Sequence, residues 1–100
     1  MPALTESEHQ EIGISLFNRV WELMDLPDRS PAEIDEMIHA AHASSYHWGA
    51  SHPPAVNLAR GEWQISRVYS ILRRPESAVW HAQRSLEICL QNNIGDFDLA

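Results

Sequence analysis

Proline cuts this chain into lengths. Pro31 follows Ser30, Pro53 and Pro54 follow the stretch GASH, and Pro75 follows Arg73 and Arg74. The proline ring fixes φ and removes an amide hydrogen, so it breaks a helix interior yet suits a helix's first turn. Thr5 with Glu8, and Ser30 with Glu33, add two capping boxes, in which hydroxyl and carboxylate satisfy first-turn amides reciprocally. These signals predict four helices. The first opens at Thr5 and ends near DLPDRSP. The second runs to about Trp48, the third covers roughly Ala55 to Arg73, and the fourth runs from Pro75 to about Asn92. Asp96 is placed to cap a fifth helix, of which FDLA is the part present.

Apolar residues recur at helical spacing in each segment. The expected inner faces are Ile12, Leu16, Phe17, Val20, Leu23 and Met24 in the first, and Ile34, Met37, Ile38, Ala41, Ser45 and Trp48 in the second. Leu58, Ile65, Val68, Tyr69 and Leu72 follow in the third. Ala78, Ala82, Ser85, Leu86 and Cys89 follow in the fourth, where small residues allow close helix approach. No segment shows strand alternation. The expected fold class is all-α, built from antiparallel helix–turn–helix pairs. One hundred residues make a single domain. It divides into an N-terminal helix pair (1–50), a second pair (51–92) and the start of a further helix (93–100).

Charge narrows the partners. The formal net charge is -7, and the acids crowd the first third while Arg60, Arg67, Arg73, Arg74 and Arg84 crowd the later part; there is no lysine. An acidic chain is a poor nucleic-acid ligand, because phosphate neutralisation dominates that affinity. A local arginine cluster still suits one anion. No apolar run approaches the ~20 residues of a membrane span, so neither nucleic acid nor membrane is expected as a partner. The start MPALTESEHQE has no basic region followed by an apolar stretch, unlike a secretory signal. The single cysteine, Cys89, excludes a disulfide within the chain and points to a reducing, cytoplasmic setting.

Ala59 to Asn92 resembles a tetratricopeptide repeat. Ile65 and Ser66 take the large-then-small pair of that repeat's first helix, and Tyr69 its aromatic. Ala78, Ala82, Ser85 and Leu86 take the small, small, small and leucine positions of the second helix. Glu62 stands where the family often has tryptophan, and Arg73 where it often has a turn glycine. The thirty-four-residue period carries Ile65 and Ser66 onto Leu99 and Ala100, another large-then-small pair. The chain as a whole is similar to small bacterial helical-repeat proteins. The resemblance implies a stacked α-α superhelix with a concave groove, the architecture of a binding scaffold. It also implies that Arg60, Trp63, Gln64, Arg67 and Ser70 face that groove.

Two clusters carry chemistry. On the third helix, Arg60, Trp63 and Arg67 fall on one stripe opposite the core face, with Gln64, Ser70 and Ile71 at its edges. A guanidinium grips a carboxylate bidentately, and an indole offers a flat apolar surface. The alternative is packing, with Trp63 stacked on Arg67 and the arginines paired to acids of the first two helices. On the second helix, Asp35, His39 and His42 share a narrow arc whose spacing would admit one metal ion. His47 points about 140° away from His42. No Cys pair or H-E-x-x-H pattern accompanies them, so these histidines are expected to wall a packed helix, with His42 and His47 as rings toward the groove. Cys89 is expected as a small core residue and Trp80 against a neighbouring helix.

The expected function is a non-enzymatic module that binds protein or peptide, through a carboxylate or other anionic group, without a cofactor or metal. Phe97 and Leu99 suggest self-association, with a homodimer as the commonest closed form. The alternative is a small anionic-ligand sensor or an enzyme using the arginines with His39, His42 or His47. The sequence shows no nucleophile–base pair or phosphate loop to favour it.

Overall fold

Every regular element in residues 3–95, the part that the computed structural model describes, is an α-helix. Helix α1 is Glu6–Met24, α2 Pro31–Ala50, α3 Ala55–Ile71 and α4 Pro75–Gln91. The expected further helix at 93–100 falls largely on residues 96–100, outside the described residues.

Both capping boxes form. The Thr5 hydroxyl accepts from the Glu8 amide at 3.1 Å, and the Glu8 carboxylate accepts from the Thr5 amide at 2.9 Å. Those hydrogen bonds hold the Glu8 carboxyl below its ordinary range. Ser30 and Glu33 repeat the arrangement at 3.1 and 2.9 Å, with Pro31 opening α2. Helices α3 and α4 have no side-chain cap and begin on proline geometry alone, at Pro54 and Pro75.

The helix ends share a device. Arg73 and Asn93 take left-handed φ values of 59° and 55° just past α3 and α4. The next amide then reaches back five residues, Arg74 to Tyr69 O and Ile94 to Cys89 O, each at 2.9 Å. Both are Schellman closures, a geometry that favours glycine. His52 has the same sign of φ after α2 (55°), but Pro53 has no amide to complete the motif. Helix α1 ends differently. One guanidinium nitrogen of Arg29 donates to the carbonyls of Leu23, Met24 and Leu26, at 3.1–3.3 Å.

Helix α1 packs on α2, α3 on α4, and α2 joins the two hairpins along α3. Val20, Leu23, Met37, Ala40, Ala41, Ile65 and Val68 form one buried cluster from α1, α2 and α3. The α1–α2 crossing is close because Gly13 has no Cβ: one added there would stand 2.9 Å from the Trp48 backbone nitrogen. The Ser44 hydroxyl donates to the Gly13 carbonyl across the same crossing at 2.7 Å. In the second hairpin two buried serines pin the helices reciprocally. Ser66 Oγ donates to Ala78 O at 2.7 Å, and Ser85 Oγ to Ala59 O at 3.0 Å.

Helix α4 departs from expectation on its apolar side. Ala78, Ser85 and Cys89 are buried, but Ala82 is exposed and Leu86 is 57% exposed. α3 covers only part of the apolar arc, and Ala82, Leu86, Val79 and Leu90 turn past it. Trp80 does not pack under a neighbouring helix either; it is 62% exposed. No helix is long and apolar enough to cross a membrane among the described residues.

Candidate functional site

Helix α3 is enclosed on three sides, which decides what it can offer a partner. Ala59, Gly61, Gln64, Ile65, Ser66 and Val68 are all buried. They spread around most of the helix, because α1, α2 and α4 each take a share of it. One strip stays open, and Arg60, Trp63 and Arg67 occupy it, with both arginines exposed. Ser70 is exposed further along. It lines a shallow pocket of about 270 Å³ with Arg73, Arg74 and Pro75, next to the α3–α4 turn.

Trp63 does not lie alone. Its indole meets Trp21 of α1, with ring centroids 5.6 Å apart and planes at 50°. Trp21 meets Phe17 edge-on at 5.7 Å, and Phe17 meets buried Trp48 edge-on at 5.2 Å. The run of rings leads from the α1–α2 interior out to the arginine strip. Sequence reading assigned Phe17 to the core and did not single out Trp21. The signal was present: Trp21 stands one turn after Phe17, at the edge of the α1 apolar stripe.

The arginines here differ from Arg19, Arg29 and Arg84. Arg19 bridges α1 to α2 through a bidentate pair with Glu36, at 2.7 and 3.1 Å, and also meets Glu22. That hydrogen bonding pulls the Glu36 carboxyl below its ordinary range. Arg84 pairs with Glu87 at 2.6 Å. Arg60 and Arg67 have no ion pair and no side-chain hydrogen bond among the described residues. The acids of the first two helices, the packing alternative raised by the sequence, do not reach them.

Three expected groove residues go elsewhere. Gln64 is 1% exposed, and its amide nitrogen donates to Phe17 O at 2.8 Å. It serves as a strut between α1 and α3, because its position faces α1 rather than the open strip. His47 turns to the start of α1, where Nδ1 lies 2.9 Å from Nδ1 of His9, so one ring donates while the other accepts. His42 turns to the far side of α3, where Nε2 lies 2.8 Å from the Tyr69 hydroxyl.

A second polar cluster forms at His42, and it spans three helices. His81 of α4 stacks against Tyr69 at 5.9 Å, lies 5.5 Å from the His42 ring, and holds Glu62 through Nδ1 at 2.6 Å. Desolvation in this packing pushes the His42 imidazole below its ordinary range. His81 and His39 push the same way, and Glu62 opposes them. Asp35, His39 and His42 do not converge as ligands. No group of three His, Cys, Asp or Glu side chains is placed to hold a metal among the described residues. Sequence reading missed His81 and Glu62, since nothing in their spacing announces a pair nineteen residues apart.

Comparison of the chain with protein-family models, curated proteins and solved structures finds no match.

Proposed function

We propose that this chain is a non-enzymatic, tetratricopeptide-like binding module, and that the α1–α3 face is where it holds a peptide or protein segment. The observation that carries the reading is the state of Arg60 and Arg67. Two guanidiniums stand one turn either side of an aromatic platform, in a chain of net charge -7, without an internal partner among the described residues. Such a strip selects carboxylates by contrast with its surroundings. Trp63 and Trp21 offer apolar surface to the residue between those carboxylates. The preferred ligand is a short acidic segment containing an aromatic or large aliphatic side chain.

The sensor or enzyme alternative needs the histidines beside the arginines. His47 is taken up by His9 and His42 by Tyr69, so among the described residues neither is hydrogen-bonded to the arginine strip. The test is selection from a random peptide library on the immobilised protein. Enrichment of Asp or Glu around an aromatic or leucine is expected, with binding lost in the Arg60→Ala/Arg67→Ala double variant. Selected peptides that lack acids, or that bind the double variant equally, overturn the proposal.

A further inference from the structure

Two imidazoles meet at the end of the first hairpin away from its turn, and they meet through the same atom. His9 of α1 and His47 of α2 stand with Nδ1 2.9 Å from Nδ1, and both side chains are half-buried. One proton lies between the two nitrogens; moved to Nε2, it leaves both Nδ1 lone pairs free. Tyr46 packs edge-on against both rings, with centroids 6.5 Å from His9 and 5.2 Å from His47, and holds their orientation. The surrounding charge is negative. Glu6, Glu8 and Glu11 share this end of α1, and residues 1–18 and 30–59 contain no lysine or arginine. Such a setting draws cations.

We propose that this pair binds a divalent late transition metal of the zinc class, with His9 Nδ1 and His47 Nδ1 as its two protein ligands. Imidazole suits such ions, whereas magnesium and calcium take oxygen ligands. The spacing fits. Two metal–nitrogen bonds of about 2.05 Å at the tetrahedral angle set the nitrogens about 3.3 Å apart and the ring centroids about 5 Å apart. The centroids already stand at 5.1 Å. The rings need only pivot in place, by a few tenths of an ångström at nitrogen, while α1 and α2 stay where they are. Among the described residues no third His, Cys, Asp or Glu converges on the pair. Glu6, one turn before His9, is engaged by His52 Nδ1 at 3.0 Å. The ion therefore keeps water at its remaining positions, as an open and exchangeable site does. Asp35, His39 and His42 take no part. The site shares no residue with the arginine strip, so it stands or falls separately from peptide binding at the α1–α3 face.

The test titrates zinc ion alone into the full chain, freed of metal with a chelator and desalted. Calorimetry should show one ion per chain, and magnesium at the same concentrations should give no binding heat. Zinc at ten times its dissociation constant should raise the melting temperature by about 5–10 °C. His9→Gln and His47→Gln should each weaken binding at least about tenfold, since even a partner behind a metal ligand is worth that much. His42→Gln, in the other histidine cluster, should bind as the unaltered chain does. By imidazole nitrogen NMR, the Nδ1 resonances of His9 and His47 should move on zinc addition. Absent binding, or full affinity in both His9→Gln and His47→Gln, overturns the proposal. So does binding that His42→Gln abolishes. If a variant loses helicity, the Nδ1 resonances in the unaltered chain decide.

Discussion

Trp63 of α3 rests on Trp21 of α1, and this contact helps to join the two helices. Beside it, the Gln64 amide donates to Phe17 O across the same pair of helices. The platform for a ligand and a tie of the fold are thus one structure. Trp63 is partly exposed, so truncation removes only part of a core aromatic's contribution. Trp63→Ala should lower stability by about 1–2 kcal/mol, below the 3–5 kcal/mol of a fully buried aromatic, and abolish peptide binding. Trp63→Phe should keep most of both. Urea unfolding followed by circular dichroism measures the first effect, and titration with a selected peptide the second.

Gly13 and Gly61 should respond differently to the same change. A Cβ on Gly13 meets the Trp48 backbone nitrogen at 2.9 Å, and backbone cannot rotate away. Gly13→Ala should therefore force α1 from α2 and cost about 1–3 kcal/mol, beyond what helix propensity returns. A Cβ on Gly61 meets Ser45 Oγ at 3.1 Å, the end of a side chain with other rotamers. Gly61→Ala should be near neutral, because alanine's gain of about 1 kcal/mol in helix propensity offsets the crowding. Thermal unfolding of the two variants side by side checks this.

Arg73 holds a left-handed conformation at an exposed turn, without an ion pair among the described residues. Arg73→Gly relieves the Cβ clash of that conformation, and the extra freedom of glycine in the unfolded chain offsets part of the relief. The net expectation is a gain of about 0.5–1 kcal/mol at unchanged helix content. Loss of stability on denaturant unfolding would mean that the arginine side chain contributes more than its backbone strain costs.

Acid should weaken the α2–α3–α4 junction. Desolvation holds His42 below the ordinary histidine value, so the folded chain binds a proton there less readily than the unfolded chain does. Stability from this site is complete above the unfolded value and declines as pH falls below it, because there the unfolded state takes up more protons. The melting temperature should drop between pH 7.5 and about 5.5, around the ordinary histidine value. The drop should be smaller in His42→Gln, which keeps a partner for Tyr69 and cannot titrate. Equal slopes for both proteins would remove His42 as a source of acid sensitivity.

The fold's outline was legible because its boundaries are chemical. Thr5 with Glu8, Ser30 with Glu33, and Pro54 and Pro75 each mark a helix start within a residue or two of where it occurs. The departure of Arg73 from glycine was legible too, and its positive φ explains why glycine suits that place. Burial around α3 was not legible. A single apolar stripe, Ile65, Val68 and Leu72, suggests one buried face, whereas Ala59, Gly61, Gln64 and Ser66 are buried by other helices on other sides. Small and polar residues carry no period that reveals this, so Gln64 read as a groove residue. Arg60, Trp63 and Arg67 were legible as one strip by spacing. That they lack internal ion partners among the described residues was not, since it depends on where the acids of α1 and α2 come to lie.

The most direct measurement is calorimetric titration of one library-selected acidic peptide into the unaltered protein, Arg60→Ala and Arg67→Ala, each with its unfolding midpoint recorded. Each substitution should weaken binding by about 1.5–3 kcal/mol, the worth of a charge-assisted hydrogen bond, while the midpoints stay together. Affinity unchanged in both variants, with the fold intact, would contradict the assignment of the α1–α3 face as the binding site.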